Sequence, residues 1–397
     1  MKKFVIIGSS AAGVSAAARL RMLDTQASIV CITQEKEFPY NKCFLAEYLS
    51  GLKDLAGLNI RPDTFFKDNN IQLVFGTTIT KINKEEKNII AQDGTTFEYD
   101  KLLYAAGGSI KSLPLEGIQS EGVFEFYTLQ DTENILKHAQ KEATQNVVII
   151  GAGLSGLECA DALLGYVKTI TVVDLQEHVL FRLVTQECAE FIQQKMQEHS
   201  VDFLPKTTVQ KIIKKDEDID SVLLSDGQTI KADMLVCALG AQPNSQLARD
   251  AGLNVENNLV TTNEFLQTSD SHIFAAGDVI QTFDAQTKTK LKSCTWPDAL
   301  VQGGCAAVNM TGTQKKYGGV TIIANSEFFG MKFYCTGNYK ESSMSYNKML
   351  HEDGKSYEAI IHKDAVVKGF VLLGNASYFA KIKRSLLIQQ PCDILRS

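Results

Sequence analysis

Two stretches of the chain share one pattern of apolar and polar positions. Each opens with a short unbroken apolar run, passes through small residues and continues into an Ala- and Leu-rich stretch. Val147-Val148-Ile149-Ile150 leads into Gly151-Ala152-Gly153-Leu154-Ser155-Gly156-Leu157-Glu158, and Phe4-Val5-Ile6-Ile7 leads into Gly8-Ser9-Ser10-Ala11-Ala12-Gly13. A short apolar run without alternation predicts a strand buried on both faces, as in a parallel sheet. The stretches that follow predict helices, the first from about Ala12 to Met22. Ser28–Thr33 and Thr169–Val173 predict the next buried strand of each unit. Two such βαβ units predict an α/β fold with two Rossmann-like domains.

Between and after them the pattern changes. Ile71 to Asp100 alternates apolar and polar residues around Lys81–Lys87 and Asp93-Gly94, and Val201 to Asp233 does so around Asp226-Gly227. Both predict hairpin strands. Lys214–Asp218 predicts a solvated turn, and Gln186–His199 an amphipathic helix. From about Gln314, glycines at 318, 319, 330, 337, 354, 369 and 374 punctuate short runs such as Ala359–Ile361 and Phe370–Leu373. That predicts a small antiparallel sheet with a helix over Ala376–Ile388, a small α+β domain at 314–397.

The glycines bring in chemistry. In G-x-G-x-x-G, Gly151 allows the tight strand-to-helix turn, Gly153 lets backbone approach a pyrophosphate, and Gly156 lets the helix pack close to the strand. Helix-start N–H groups, here at Leu154 and Ser155, then face the negative charge. Asp174 stands at the end of the following strand, where a carboxylate accepts from both ribose hydroxyls. A carboxylate there repels a 2′-phosphate, and Leu175-Gln176 supplies no arginine, so NADH is favoured over NADPH. In the first unit Ser10 replaces the middle glycine, with Ala11 and Ala12 at the helix start. Glu35 is the ribose candidate, with Gln34 and Glu37 close by. Two nucleotide units imply two nucleotides, which is what hydride transfer from a dinucleotide to a flavin requires.

Composition narrows the field. The chain has 397 residues, 44% hydrophobic and 22% charged, with a net charge of -6. Nothing there favours nucleic acid or an anionic membrane as partner. No apolar run suits a bilayer span, and Gly8 interrupts any signal-peptide core. Nine scattered cysteines without C-x-x-C or C-x-x-x-x-C point to a reducing cytoplasm and mostly buried thiols. Six histidines without metal-ligand spacing argue against a metal site.

Four further stretches carry a resemblance. Tyr99-Asp100-Lys101-Leu102-Leu103-Tyr104-Ala105-Ala106-Gly107-Gly108 resembles the Y-D-x-L-x-x-A-T-G hinge of the pyridine nucleotide–disulfide oxidoreductase superfamily, with Ala106 in place of threonine. Ala238–Asn244 resembles its G-x-x-P-N crossover. Thr268–Asp278 resembles its flavin-ribitol motif, and Trp296-Pro297-Asp298-Ala299 with Gln302-Gly303 its helix beside the isoalloxazine. The resemblance implies FAD as well as NADH. It also implies an interrupted architecture: an FAD domain at 1–109 and 241–313, an NAD domain at 110–240, and an interface domain at 314–397 that packs a homodimer or covers the flavin. Asp278 is assigned the ribitol chain. Ile79, Ala106, Gly107, Gly240, Gly277 and Trp296 are carried over as further cofactor contacts, and Lys42 is placed at the FAD pyrophosphate.

Phe38–Leu49 is expected to begin the helix beside the flavin. Cys43 there matches the single redox cysteine of the coenzyme A-disulfide reductase and NADH oxidase branch, but Phe44 follows where glycine is usual. Pro39-Tyr40-Asn41-Lys42 resembles the ferredoxin- and rubredoxin-reductase branch instead. Two accounts of Cys43 stand: a nucleophilic thiolate favoured by a helix N-terminus and Lys42, or a small buried residue packed against the ring. The other eight cysteines are expected in strands or helices. Glu158 is implied to face the nicotinamide, and Glu47 takes the place of the lysine that pairs with it in ferredoxin-reductase relatives. Two carboxylates at one flavin edge raise the pKa of one of them. The resemblance implies NADH-dependent electron delivery to a rubredoxin- or ferredoxin-type carrier, with reduction of a disulfide, persulfide or peroxide through Cys43 as the alternative; NADH sensing with slow turnover is a third reading of a different class.

Overall fold

The computed structural model describes residues 1–110, 113–336, 345–350, 355–374 and 376–392, the strand Ser345–Leu350 by its backbone alone. The glycine punctuation expected at Gly337 and Gly354 lies outside the described residues. The chain divides into two compact units, Met1–Phe44 with Lys53–Ser109 and Ala241–Thr321, and Leu45–Leu52 with Ile110–Gly240 and Ile322–Ser397.

The first unit is built on a five-stranded parallel sheet in the order Ile273–Ala275, Lys101–Tyr104, Lys3–Ile7, Ser28–Ile32, Gln72–Val74. Phe4, Ile6, Leu102 and Leu103 on its inner strands are fully buried, each stabilising the fold by roughly 1.5–3 kcal/mol. The helix Ala11–Leu23 packs on the helix Trp296–Met310 so closely that a Cβ on Gly303 would stand 2.0 Å from the Ala12 carbonyl oxygen. The expected hairpin region is corrected in part. Ile79–Asn83, Asn88–Ala91 and Thr96–Glu98 form an antiparallel meander turning at Gly94 (φ +86°), but Gln72–Val74 joins the parallel sheet.

The second unit repeats the plan. Its parallel sheet runs Val201–Leu204, Thr169–Val173, Asn146–Ile150, Met234–Cys237, Val123–Glu125. Register is equivalent too: Ile150 pairs with Val173 as Ile7 pairs with Ile32, so both glycine loops leave their sheets at the same point. Here Val201–Leu204 belongs to the parallel sheet, while Val209–Lys215, Asp218–Leu224 and Thr229–Lys231 are antiparallel. The turn at Asp216 between the first two of these is exposed, and Lys214 pairs with Glu217 across it. The helix Gln186–Glu198 buries Cys188, Ala189, Ile192 and Met196, one amphipathic face. The chain's last part forms a five-stranded antiparallel sheet, Ala324–Phe328, Met331–Thr336, Val366–Leu373, Tyr357–Lys363 and Ser345–Leu350. The helix Phe379–Ile388 covers it through Ile382 and Leu386. Among the described residues no helix is long and apolar enough to cross a membrane.

Candidate nucleotide-binding loops and redox residues

The two glycine loops are the same object built twice. Gly8 and Gly151 open them at φ +102° and +112°, a left-handed conformation that glycine adopts without strain. Gly13 and Gly156 close them inside the first turn of helix. A Cβ on either would stand 1.9 or 1.8 Å from the carbonyl oxygen of Gly8 or Gly151, so only glycine allows these helices to approach their strands. Gly153 is different. Its backbone is extended (φ -79°, ψ -176°), and a Cβ would meet nothing within 4 Å. Neither backbone conformation nor internal packing requires glycine there, and the space beside its Cα is open for a ligand to approach the backbone. Ser10 holds the same place and nearly the same conformation (φ -86°, ψ -160°), with no side-chain cap bond to the helix. Ala11 and Ala12 are buried at that helix start, while Leu154 is half-buried and Ser155 exposed at the start of the second helix. Open backbone and helix N-termini in both loops fit a dinucleotide pyrophosphate.

The acids at the strand ends behave differently. Asp174 Oδ2 accepts the Ala152 N–H at 2.7 Å and Oδ1 accepts the Gln176 N–H at 2.9 Å, so it braces the glycine loop. Glu35 accepts from the Tyr40 hydroxyl at 2.5 Å and pairs with Lys42 at 2.8 Å. Sequence reasoning placed Lys42 at a pyrophosphate; in the structure its ammonium stands against Glu35. Ile79 buries its side chain in the first unit's core, which leaves only its backbone for a nucleotide. Asp174→Ala is expected to raise the KM for NADH about tenfold and that for NADPH less, because loss of the brace on Ala152 weakens both nucleotides while removal of the carboxylate relieves its repulsion of a 2′-phosphate. Steady-state kinetics with each nucleotide check this.

The two crossover stretches are stapled by a residue that sequence reasoning quoted only as part of a motif. Asn244 donates from Nδ2 to the Ala106 carbonyl (2.9 Å) and from its N–H to the Gly107 carbonyl (3.0 Å). Its own carbonyl accepts from the Tyr104 hydroxyl at 2.5 Å, and its Oδ1 accepts from Ser109. Gly107 (φ +59°) and Gly240 (φ +74°) are left-handed and open around the Cα. They are glycines because of the turns they make.

Gly277 (φ +85°) and Asp278 end the Ile273–Ala275 strand. Burial pushes the Asp278 carboxyl up to about 6, against the pull of Lys292 and Lys42 and with Asp298 adding to the rise. An acid held this way gains from hydroxyl donors. Trp296 begins its helix, partly buried against the core.

Cys43 departs from expectation. It lies in a 3-10 turn, Lys42–Phe44, ahead of a helix of only five residues, Leu45–Leu49. A helix so short offers little dipole, and the Lys42 ammonium pairs with Glu35 at 2.8 Å. The Cys43 side chain is exposed. Six of the other eight cysteines lie in strands or helices. Cys294 and Cys392 lie in loops, and Cys294 is exposed, with burial of its thiol atom and the nearby Asp278 pushing its pKa up to about 11.

Glu158 lies one turn into the Leu154–Leu163 helix, half-buried. Burial pushes its carboxyl up to about 7; the Ser326 hydroxyl, donating to Oε1 at 2.5 Å, holds it down, and the charge of Glu47 pushes it further up. Glu47 stands on the Leu45–Leu49 helix, which packs on the Leu154–Leu163 helix. The structure thus brings together the two carboxyls that the sequence paired. It adds Ser326, in a C-terminal strand with no motif around it. One turn further on, Asp161 accepts the Phe329 N–H at 2.9 Å, so the Ala324–Phe328 strand is tied to one face of this helix at two points.

Comparison with known proteins gives the frame for this geometry. A family model described as pyridine nucleotide-disulphide oxidoreductase matches residues 2–325. An NADH oxidase of Methanocaldococcus jannaschii is 31% identical over 339 residues, 84% of this chain and 75% of that protein. A rubredoxin-NAD(+) reductase of Pseudomonas putida is 29% identical over 310 residues, 78% of this chain and 80% of that protein. Among solved structures, an NAD-dependent persulfide reductase from A. fulgidus superposes with a TM-score of 0.89 at 27% identity, covering 99% of this chain and 78% of that one.

Proposed function

The chain belongs to the pyridine nucleotide-disulphide oxidoreductase family, and on that premise we propose that it works in the cytoplasm, passing electrons from NADH through FAD to a small electron-carrier protein of rubredoxin or ferredoxin type. It is a flavin-dependent oxidoreductase with FAD and NADH as cofactors. The observation that carries the reading is the duplicated loop, with Gly8 and Gly151 at positive φ, Gly13 and Gly156 packed against them, and open backbone at Ser10 and Gly153 between.

FAD, when bound, takes two electrons as hydride from NADH and releases them onward. The chain's own residues bind, orient and supply a proton. Gly8, Ser10, Ala11, Ala12 and Gly13 would hold the FAD pyrophosphate, with Glu35 at the ribose and Asp278 at the ribityl hydroxyls. Gly151, Gly153, Leu154, Ser155 and Gly156 would hold that of NADH, with Asp174 at its ribose. Glu158 carries a proton close to neutrality. Ser326 engages Oε1, so the proton resides on Oε2, a suitable arrangement for a group that exchanges protons at working pH.

The carrier as acceptor is supported by the likeness to a rubredoxin-NAD(+) reductase. The exposure of Cys43 favours the second reading, reduction of a disulfide, persulfide or peroxide through that thiol. An anaerobic titration with dithionite and then NADH separates them. Wild type and Cys43→Ser are expected to take up the same electrons, one flavin's worth. Extra electrons in the wild type, or a thiolate-to-flavin charge-transfer band that the variant lacks, would establish the thiol as a redox centre instead.

A further inference from the structure

One polar cluster in the first unit has no part in the loops described above. Asp298, Gln302 and Tyr317 are 5%, 1% and 5% exposed, three polar side chains inside an apolar core. Burying such groups is unfavourable unless each finds partners, and these do. The Tyr317 hydroxyl donates to Asp298 Oδ1 at 2.5 Å. Gln302 Nε2 donates to Asp298 Oδ2 at 2.7 Å and lies 3.3 Å from the Tyr317 oxygen. The Thr282 hydroxyl donates to Tyr317 at 3.1 Å. The chain of bonds ends at Gln302 Oε1, which accepts the Gly277 N–H at 2.6 Å.

The direction of these bonds matters. An amide side chain can face either way, but Asp298 as carboxylate only accepts, so it commits the Gln302 NH2 to itself and the Gln302 oxygen to Gly277. Tyr317 keeps Asp298 in that role by donating to its other oxygen. Gly277 is the left-handed residue that turns the chain into Asp278. Phe283 packs edge-on against the Tyr317 ring at 5.7 Å, fixing the phenol in turn.

We propose that Tyr317, acting through Asp298 and Gln302, is a positioning residue for the flavin: it locks the Gly277 amide and thereby aims Asp278 at the ribityl chain. The proposal rests on the reading of Asp278 as a flavin contact. Tyr317 itself touches no cofactor in this scheme.

The test uses the purified holoprotein. FAD release on dilution is followed by recovery of flavin fluorescence in wild type, Tyr317→Phe, Gln302→Met and Asp278→Ala, together with the flavin reduction potential and the thermal midpoint with and without added FAD. Tyr317→Phe removes one hydroxyl and keeps the ring, and is expected to speed FAD release about tenfold and shift the potential. Gln302→Met should do so at least as strongly. If both variants release FAD at the wild-type rate while Asp278→Ala releases it faster, the cluster serves stability alone and the proposal fails. If Asp278→Ala also matches wild type, the underlying assignment of Asp278 fails with it. A lower thermal midpoint with unchanged FAD release and potential is the mark of a purely structural role and likewise overturns the proposal.

Discussion

Gly156→Val is expected to give a yellow protein that NADH no longer bleaches, and Gly13→Val a colourless one. The two substitutions are sterically equivalent. Each puts a Cβ less than 2 Å from a carbonyl oxygen at the head of its loop, Gly151 in one case and Gly8 in the other. Contacts that short do not occur, so the helix must leave the strand and take its N–H groups with it. Overpacking of this kind costs about 1–3 kcal/mol or more where the backbone must move, which corresponds to roughly a hundredfold loss of nucleotide affinity at the upper end. The damage should stay within one unit, because each loop is braced by its own sheet. Absorbance of the purified protein and its anaerobic bleaching by NADH report the two outcomes. Retention of NADH-dependent bleaching in Gly156→Val, within threefold of wild type, would contradict the assignment of the second loop. Loss of flavin from that variant alone would mean that the loops are assigned the wrong way round.

Replacing Glu158 with glutamine should lower the rate of NADH-dependent flavin reduction or turnover by about a hundredfold and abolish the pH dependence centred near neutrality. The sign of that dependence follows from the environment. With a carboxyl pushed up to about 7, Glu158 is mostly protonated below that pH and mostly ionised above it. Ser326 stabilises the ionised form by donating to it, so Ser326→Ala should move the break in the pH profile upward. Glu47 opposes ionisation through its negative charge, so Glu47→Gln should move it downward. Opposite displacements from two neighbours are hard to produce by general disruption of the site. A pH–rate profile unchanged by Glu158→Gln would show that another group titrates.

What the sequence disclosed and what it hid follow from the range of the forces involved. The paired loops were legible because every requirement is local: an apolar run, a left-handed glycine, a small residue, a close-packed glycine, all within about ten residues. Asp93-Gly94 and Asp226-Gly227 were legible as turns for the same reason, and both glycines are left-handed. Gln72–Val74 and Val201–Leu204 were not separable from their hairpin neighbours. A three- or four-residue strand has the same alternation whether it pairs in parallel or antiparallel, and only its partner decides. The Lys42–Glu35 pair was not legible, because it depends on how the chain folds over the seven positions that separate them. Ser326 and Tyr317 were invisible. Each acts through one hydroxyl on a residue of another segment, 168 positions away for Ser326 and Glu158 and 19 for Tyr317 and Asp298. A serine in a strand and a tyrosine in a loop have no pattern that marks them. The α/β class and the family resemblance rested on the local motifs and agree with the two parallel sheets and the matched family model.

The central claim is a route for electrons from NADH through a bound flavin to a carrier protein. Anaerobic double-mixing in a stopped-flow instrument tests it most directly: the holoprotein is first mixed with NADH, then with an oxidised rubredoxin- or ferredoxin-type carrier, while the flavin absorbance is followed. The account predicts bleaching at a rate that saturates with NADH, then recovery that speeds up with carrier concentration and slows with added salt. Flavin that NADH leaves oxidised, or reduced flavin that the carrier reoxidises no faster than buffer does, would contradict it.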